Sequence, residues 1–292
     1  MGAIDRYDGF PLSSRAVPRF EWRDEIGSTN TELVRLAGED AGAWPDRSVL
    51  VTDEQTAGRG RLGRKWMAPT GKTLAISVLL RPEQLTGVPL QLDAYGWLPL
   101  LAGAAMTETV RDAIADAGAG AAGDDADEEA GDGTGGVEVA LKWPNDVLVS
   151  GFKVCGILSE LLPDGRSVVV GAGLNLSLDE HDLPTLASTS LQLVTGRAPD
   201  ADAVLADYLA RFTALYRGFA ESGGDPIASG LAERVGELCG TIGAEVRVEL
   251  PGDAVLLGTA EGIDVDGRLL VRDRENGELQ AVAAGDITHL RY

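Results

Sequence analysis

The chain has 292 residues, 44% hydrophobic and 24% charged, the balance of a soluble globular protein of about two domains at roughly 100–200 residues each. Net charge is −21, from 25 basic and 46 acidic residues, which repels a phosphate backbone over most of the surface and argues against a nucleic-acid partner. Two cysteines and two histidines exclude a disulfide framework, a Cys-based zinc site and a His-rich metal centre. No run approaches the ~18 apolar residues of a membrane span, and the charged N-terminus lacks the apolar core of a signal peptide, so a cytoplasmic protein with no membrane partner is expected.

Residues 1–21 show no apolar period and read as a loose lead-in. Residues 28–39, STNTELVRLAGE, start a helix, with Thr29 and Glu32 spaced as a capping box and Leu33, Val34, Leu36 and Ala37 as its apolar face. SVLVTDEQ (48–55) and TLAISVLL (73–80) read as buried strands on either side of a basic loop, and residues 97–117 as a helix. Residues 117–136 hold seven Gly, six Ala and six acids, which cannot fill a core, so an acidic, disordered surface insertion is expected there. VEVALKWPNDVLV, KVCGILSELL and SVVVGAGLNL then read as three strand-like segments, followed by helices near 201–221 and 226–237. From 239 onward, short strands alternate with Pro-Gly, Asp-Gly and Asn-Gly turns, the pattern of a small separate β-barrel. The expected boundaries are therefore 1–21, 22–238 and 239–292.

The basic loop holds Arg59, Arg61, Arg64, Lys65 and Lys72 with no acid between residues 55 and 72. Its Gly58, Gly60 and Gly63 form G-x-G-x-x-G, a weak signal by itself. A dinucleotide fingerprint needs a helix after the loop, and here Pro69 and a strand follow. Gly71-Lys72-Thr73 resembles the end of a phosphate loop, but Trp66 stands where the leading glycine belongs. A protein kinase is excluded because no H-R-D or D-F-G element exists. Two readings remain: a strand–loop–strand unit whose arginines hold a multiply charged anion, or a solvated flexible loop.

Lys142-Trp143-Pro144-Asn145-Asp146 ends a strand at a turn. It reads either as plain turn chemistry or as a bend presenting a cation, an amide and a carboxylate together, the last able to help place magnesium. Lys153 precedes an apolar strand, as a surface residue or as a functional cation.

Together, Gly27-Ser28-Thr29-Asn30, Gln55 to Arg61 with Arg64 and Trp66, Lys142 to Asp146, Lys153 to Leu158 and Gly171 to Asn175 resemble the biotin–protein ligases in order and spacing, over about residues 24–290 apart from the acidic insertion. The resemblance implies an α+β fold: a mixed-sheet catalytic domain related to class II synthetases, plus a C-terminal SH3-like β-barrel. It implies an ATP-dependent enzyme that forms biotinyl-5′-AMP and passes biotin to a lysine of a biotin carboxyl-carrier domain, such as that of acetyl-CoA carboxylase. Magnesium would accompany ATP, with no protein ligand assigned. As catalytic groups it implies Lys153, Arg59, Arg61 and Arg64, with Lys153 bridging the carboxylate and the α-phosphate. For biotin it implies Ser28, Thr29, Asn30, Gln55, Gly58, Arg59, Gly60, Arg61, Lys153 and Gly156. For ATP it implies Arg61, Arg64, Trp66, Lys142, Asn145 and Asn175. Trp66 shapes the pocket or packs in the core, and Cys155 is a small buried residue.

Residues 58–68 are expected to close over the reactive adenylate and shield it from water. About 20 residues precede the catalytic segment, too few for the helix-turn-helix module of bifunctional relatives, so the monofunctional type is expected. A lipoate-type acyl ligase and a non-catalytic binding regulator are the competing readings.

Overall fold

The computed structural model describes residues 9–66, 68–121, 136–250, 254–283 and 285–290. The elements run α1 (Pro11–Ala16), β1 (Arg19–Trp22), α2 (Thr29–Glu39), β2 (Ser48–Thr52), β3 (Thr73–Leu80), α3 (Pro82–Thr86), α4 (Leu98–Ala121), β4 (Val139–Lys142), β5 (Asp146–Val149), β6 (Phe152–Leu161) and β7 (Val168–Asn175). Then follow α5 (Leu191–Thr195), α6 (Ala201–Glu221), α7 (Leu231–Leu238), β8 (Glu245–Glu249), β9 (Val255–Ile263), β10 (Leu269–Asp273), β11 (Leu279–Val282) and β12 (Asp286–His289). A seven-stranded sheet takes the order β1-β2-β3-β7-β6-β5-β4. Only β1 and β2 pair in parallel within it, so the sheet is mixed and the fold is α+β.

The two faces of this sheet are covered differently, and the difference creates the site. On one face lie α4 and α6. The run from Leu100 to Met106 of α4 is apolar all round because it is buried all round. Helix α6 presents Leu205, Tyr208, Leu209, Phe212, Tyr216 and Phe219 inward at helical spacing, and its first turn is capped by the Asp200 carboxylate, 3.0 Å from the Asp202 N–H. The other face is covered by α2, whose Leu33 and Ala37 pack on Leu50, Leu79 and Val169. Helix α2 reaches only part of that face and leaves the middle of β7 and β6 open.

Several expectations change here. The lead-in is not loose over its described part. Phe10 is buried and stacks on Trp22 at 4.9 Å, β1 pairs with β2, and Ser13 is fully buried with its N–H and hydroxyl on the Asp202 carboxylate at 2.9 and 2.6 Å. Elements of six and four residues are too short to show an apolar period. The capping box also fails: Ser28 is the N-cap, no side chain of its own caps the helix, and Glu32 pairs with Arg35. The Thr29 N–H is satisfied from outside, by Gln55 Oε1 at 2.8 Å. Residues 117–121 continue α4 instead of opening the insertion, and the rest of the expected acidic loop, 122–135, lies outside the described residues. VEVALKWPNDVLV is a hairpin of two strands, β4 and β5, and the helix expected from 226 begins at Leu231, after turns held by the Asp225 carboxylate.

The tail forms five antiparallel strands in the order β11-β10-β9-β8-β12. Its core is continuous with that of the main sheet, and Val246, Leu269 and Val271 belong to the same buried cluster as Leu141 and Trp143. The Trp143 and Trp97 indole N–H groups donate across this contact to the carbonyls of Gly267 at 3.0 Å and Val265 at 2.8 Å. Among the described residues, no helix is long and apolar enough to cross a membrane.

Candidate active site

Alternation along β3, β7 and β6 puts Ala75, Gly173 and Gly156 in one row across the open face, ending at Asp146, and Ser77, Gly171 and Leu158 in the next. The small residues turn the sheet surface into the floor of a cavity of about 350 Å³. The floor has no room for side chains. A Cβ on Gly171 would lie 2.3 Å from Asn30 Oδ1, one on Gly173 2.7 Å from the Trp66 ring, and one on Gly156 2.8 Å from Lys153 Nζ. Gly171 and Gly173 are required by the fixed amide and the rigid ring on top of them, whereas at Gly156 the flexible end of Lys153 could shift.

One end of the cavity is neutral and polar. Ser28, Thr29 and Asn30, at the start of α2, line it together with Gln55. Asn30 is buried; its amide nitrogen donates to the Leu158 carbonyl at 3.0 Å and its oxygen accepts from the Ser77 hydroxyl at 2.6 Å. These bonds fix which way the amide faces. Gln55 is oriented in turn by the N–H and hydroxyl of Thr29, at 2.8 and 3.2 Å.

The other end is cationic. The loop folds back as a hairpin, with Gly60 N–H on the Arg64 carbonyl at 2.7 Å and Trp66 N–H on the Gly58 carbonyl at 2.9 Å. Gly58 must be glycine because a Cβ would sit 2.0 Å from the Trp66 carbonyl oxygen. The hairpin hangs Trp66 over the floor and brings Arg61 to Asn145, whose Oδ1 accepts from Nη1 at 3.0 Å. The Asn145 amide also donates to the Ile157 carbonyl at 2.9 Å. Burial pushes the Arg61 guanidinium below its ordinary pKa, against the pull of Asp286 and Asp146. Arg64 pairs with Asp286 of β12, and Lys153 reaches Asp146 at 2.5 Å. Arginine, arginine and lysine thus face the cavity, each held by an oxygen acceptor.

Most of the residues singled out in the sequence line this one cavity: Ser28, Thr29, Asn30, Gln55, Arg59, Gly60, Arg61, Arg64, Trp66, Asn145, Lys153, Gly156 and Asn175. Two do not. Gly58 lies at the base of the hairpin without lining the cavity, and Lys142 sits beside the site, opposite Asp146 in the β4–β5 register. Burial lowers the Lys142 pKa, with Asp146 opposing. Arg59 lines the wall but bonds Glu160 at 2.8 Å, away from Arg61 and Arg64. Cys155 is buried and its thiol is pushed up to about 12 by desolvation, which disfavours the thiolate. Sequence reading missed the floor glycines Gly171 and Gly173 as a surface, the wall residues Pro184, Thr185 and Ser188, and Asp286. Asp286 carries no local signal; only the docking of the tail brings it to the hairpin.

Residues 24–176 match the model of the biotin/lipoate A/B protein ligase family, and residues 241–290 that of the biotin protein ligase C-terminal domain. The chain belongs to the biotin protein ligase family. It is similar to a biotin–[acetyl-CoA-carboxylase] ligase of Mycobacterium tuberculosis, 36% identical over 267 residues that cover 91% of this chain and 87% of that one. A ligase of the same description from Paracoccus denitrificans is 33% identical, with 84% and 90% covered. Among solved structures, the Aquifex aeolicus biotin protein ligase in complex with biotin and ATP superposes with a TM-score of 0.69 at 26% identity, covering 94% of this chain and all of that one.

Proposed function

We infer that this protein is an ATP-dependent ligase that joins biotin to AMP as biotinyl-5′-adenylate and then transfers biotin to a lysine of a biotin carboxyl-carrier domain. The observation that carries this reading is the polarity of a single cavity: neutral amides and hydroxyls at one end, Arg61, Arg64 and Lys153 at the other, above a glycine floor. Biotin has a neutral ureido ring at one end and a carboxylate at the other. Asn30, Thr29, Ser28 and Gln55 offer paired donors and acceptors for the ring.

The reaction brings a carboxylate against a phosphate, two anions that repel. Cations already fixed in place offset that repulsion without reorganising during the step. Arg61, Arg64 and Lys153 act as these cations, and Asn145, Asn175, Trp66 and the nearby Lys142 serve the nucleotide. The acidic partners Asp286 and Asp146 hold the guanidinium and the ammonium ready, and the substrate's own negative charge replaces them. Magnesium enters with ATP. Among the described residues no group of three or more His, Cys, Asp or Glu side chains is placed to hold a metal. An ion carried on the phosphates needs only one or two protein carboxylates, and Asp146 is the candidate donor. The hairpin at 58–66, joined by glycines, is the natural cover for the intermediate. The acidic net charge supports a protein partner and no nucleic acid.

The test is incubation with biotin, magnesium-ATP and a carboxyl-carrier domain, read by intact mass for one added biotinyl group. ATP–pyrophosphate exchange should run with biotin and fail with lipoate and octanoate. It should fall about 100-fold or more in Lys153→Ala and Arg64→Ala, the scale of a lost charge-stabilising donor. Exchange with lipoate in preference to biotin would overturn the substrate. No exchange with any of the three acids would point to the non-catalytic reading, and exchange undiminished in both variants would remove Lys153 and Arg64 from the catalytic roles given them.

A further inference from the structure

The Gly71-Lys72-Thr73 triplet fails as a phosphate loop, and its lysine has another use. The Lys72 carbonyl accepts the N–H groups of Leu176 and Ser177 at 3.1 and 2.9 Å, where the chain leaves β7. Its ammonium bonds the carboxylates of Asp179, at 2.9 Å, and Asp182. Asp182 also accepts the Asp179 N–H at 3.2 Å, so the two acids and the lysine close one turn. With Lys72 beside it, the Asp179 carboxyl is held down to about 2.

This turn begins the segment 177–190, a strap that crosses the cavity wall at Pro184, Thr185 and Ser188. The base of the strap is closed by the Ser190 hydroxyl, which donates to the Leu178 carbonyl at 2.7 Å. Its far side lies directly on Lys153. The Lys153 N–H donates to the Ala187 carbonyl and the Thr189 N–H to the Lys153 carbonyl, both at 2.8 Å. The neighbouring strand does not offer a regular ladder there, because the β5–β6 register slips between Val147 and Leu148, at the residue opposite Lys153. The strap therefore holds both backbone groups of the residue whose ammonium faces the site.

We propose that Lys72, Asp179 and Asp182 form an ionic clasp that fastens this strap and so positions Lys153 for adenylate formation. The proposal rests on the role given to Lys153 above. Without the clasp the strap keeps its backbone bonds and the Ser190 hydroxyl but loses the side-chain tie on its outer turn, and a displacement of about 1 Å at a reacting group is enough to slow a reaction strongly. The clasp is partly exposed, and pairs of this kind add little to global stability. Its loss should therefore be felt in the site before it is felt in the fold.

The test uses full-length Lys72→Met, Lys72→Arg and the double variant Asp179→Asn/Asp182→Asn. In ligand-free protein, amide hydrogen exchange at Lys153 and Thr189 should speed at least fivefold in Lys72→Met and in the double variant, with Tm nearly unchanged. In ATP–pyrophosphate exchange, kcat should fall about tenfold with the biotin KM within twofold, and Lys72→Arg should recover most of the rate. Unchanged amide exchange in both charge-removing variants overturns the clasp, as does a rate loss that tracks a fall in Tm or a rise in KM alone. The double variant serves if Lys72→Met does not fold. The hydrogen-exchange arm uses no substrate, so an inactive wild type would overturn the ligase reading while the clasp is still read.

Discussion

At the scale of single residues, the site is built as much from missing side chains as from present ones. Asn30 is buried and makes both of its amide bonds only because Gly171 leaves room beneath it. Gly171→Ala should force that amide off Ser77 and Leu158. With net bond values near 1 kcal/mol each, biotin affinity should drop at least tenfold, a fall that calorimetric titration would reveal. Lys142 gives a different prediction. Burial lowers its pKa, so as pH rises it loses its proton earlier than an ordinary lysine, whose pKa is 10.5. If it serves ATP, kcat/KM for ATP should decline on the alkaline side below pH 10.5, and Lys142→Arg, which keeps its charge, should remove that decline. An identical pH profile in the arginine variant would exclude Lys142 from the nucleotide site. The chemical identities of Lys142, Asn145, Lys153 and the hairpin arginines were legible because the motifs are contiguous. What Gly171 and Gly173 are for was not, since it depends on a side chain more than 100 residues away in each case.

Among the elements, long periodic ones were readable and short ones were not. Strand β3 reads as a buried strand because all eight of its residues are buried and only Thr73 and Ser77 among them are polar. Helix α6 shows its stripe for the same reason that it forms, an inward row of Leu and aromatic residues. Helix α1 has only six residues and owes its place to one carboxylate on α6. Asp202→Ala would leave the Leu12 and Ser13 N–H groups without that acceptor. It should cost about 2–3 kcal/mol, within the range for orphaned buried donors, as a shift in the urea midpoint, with faster tryptic cleavage at Arg15 and Arg19. Unaltered proteolysis would mean that α1 is held by Phe10 packing alone. The capping box failed at this scale too, since Gln55, in the loop after β2, supplies the acceptor that Glu32 was expected to provide locally.

For the whole molecule, the tail is part of the site as well as a neighbour of it. Asp286 meets Arg64, and the Gly285 carbonyl accepts from Arg61 at 3.4 Å. Trp143, inside the Lys142–Asp146 motif, is buried against the tail and gives its indole N–H to Gly267. Trp143→Phe should therefore lower stability by about 1–3 kcal/mol while unfolding stays a single transition, because the two sheets share one apolar core. Calorimetry with two resolved transitions would show that the tail melts on its own. The sequence alone determined the chemistry on offer and the order of the longer strands and helices in the chain, because residue type, apolar period and turn residues are local properties, and the α+β class came with the family resemblance of its motifs. Only the tertiary structure decided that the sheet's open face becomes a glycine floor, that Asp286 and the strap reach the site, and that Lys72 faces two aspartates. Those relations join segments far apart in the chain, and they exist only once helix α2 covers part of the sheet and leaves the rest bare.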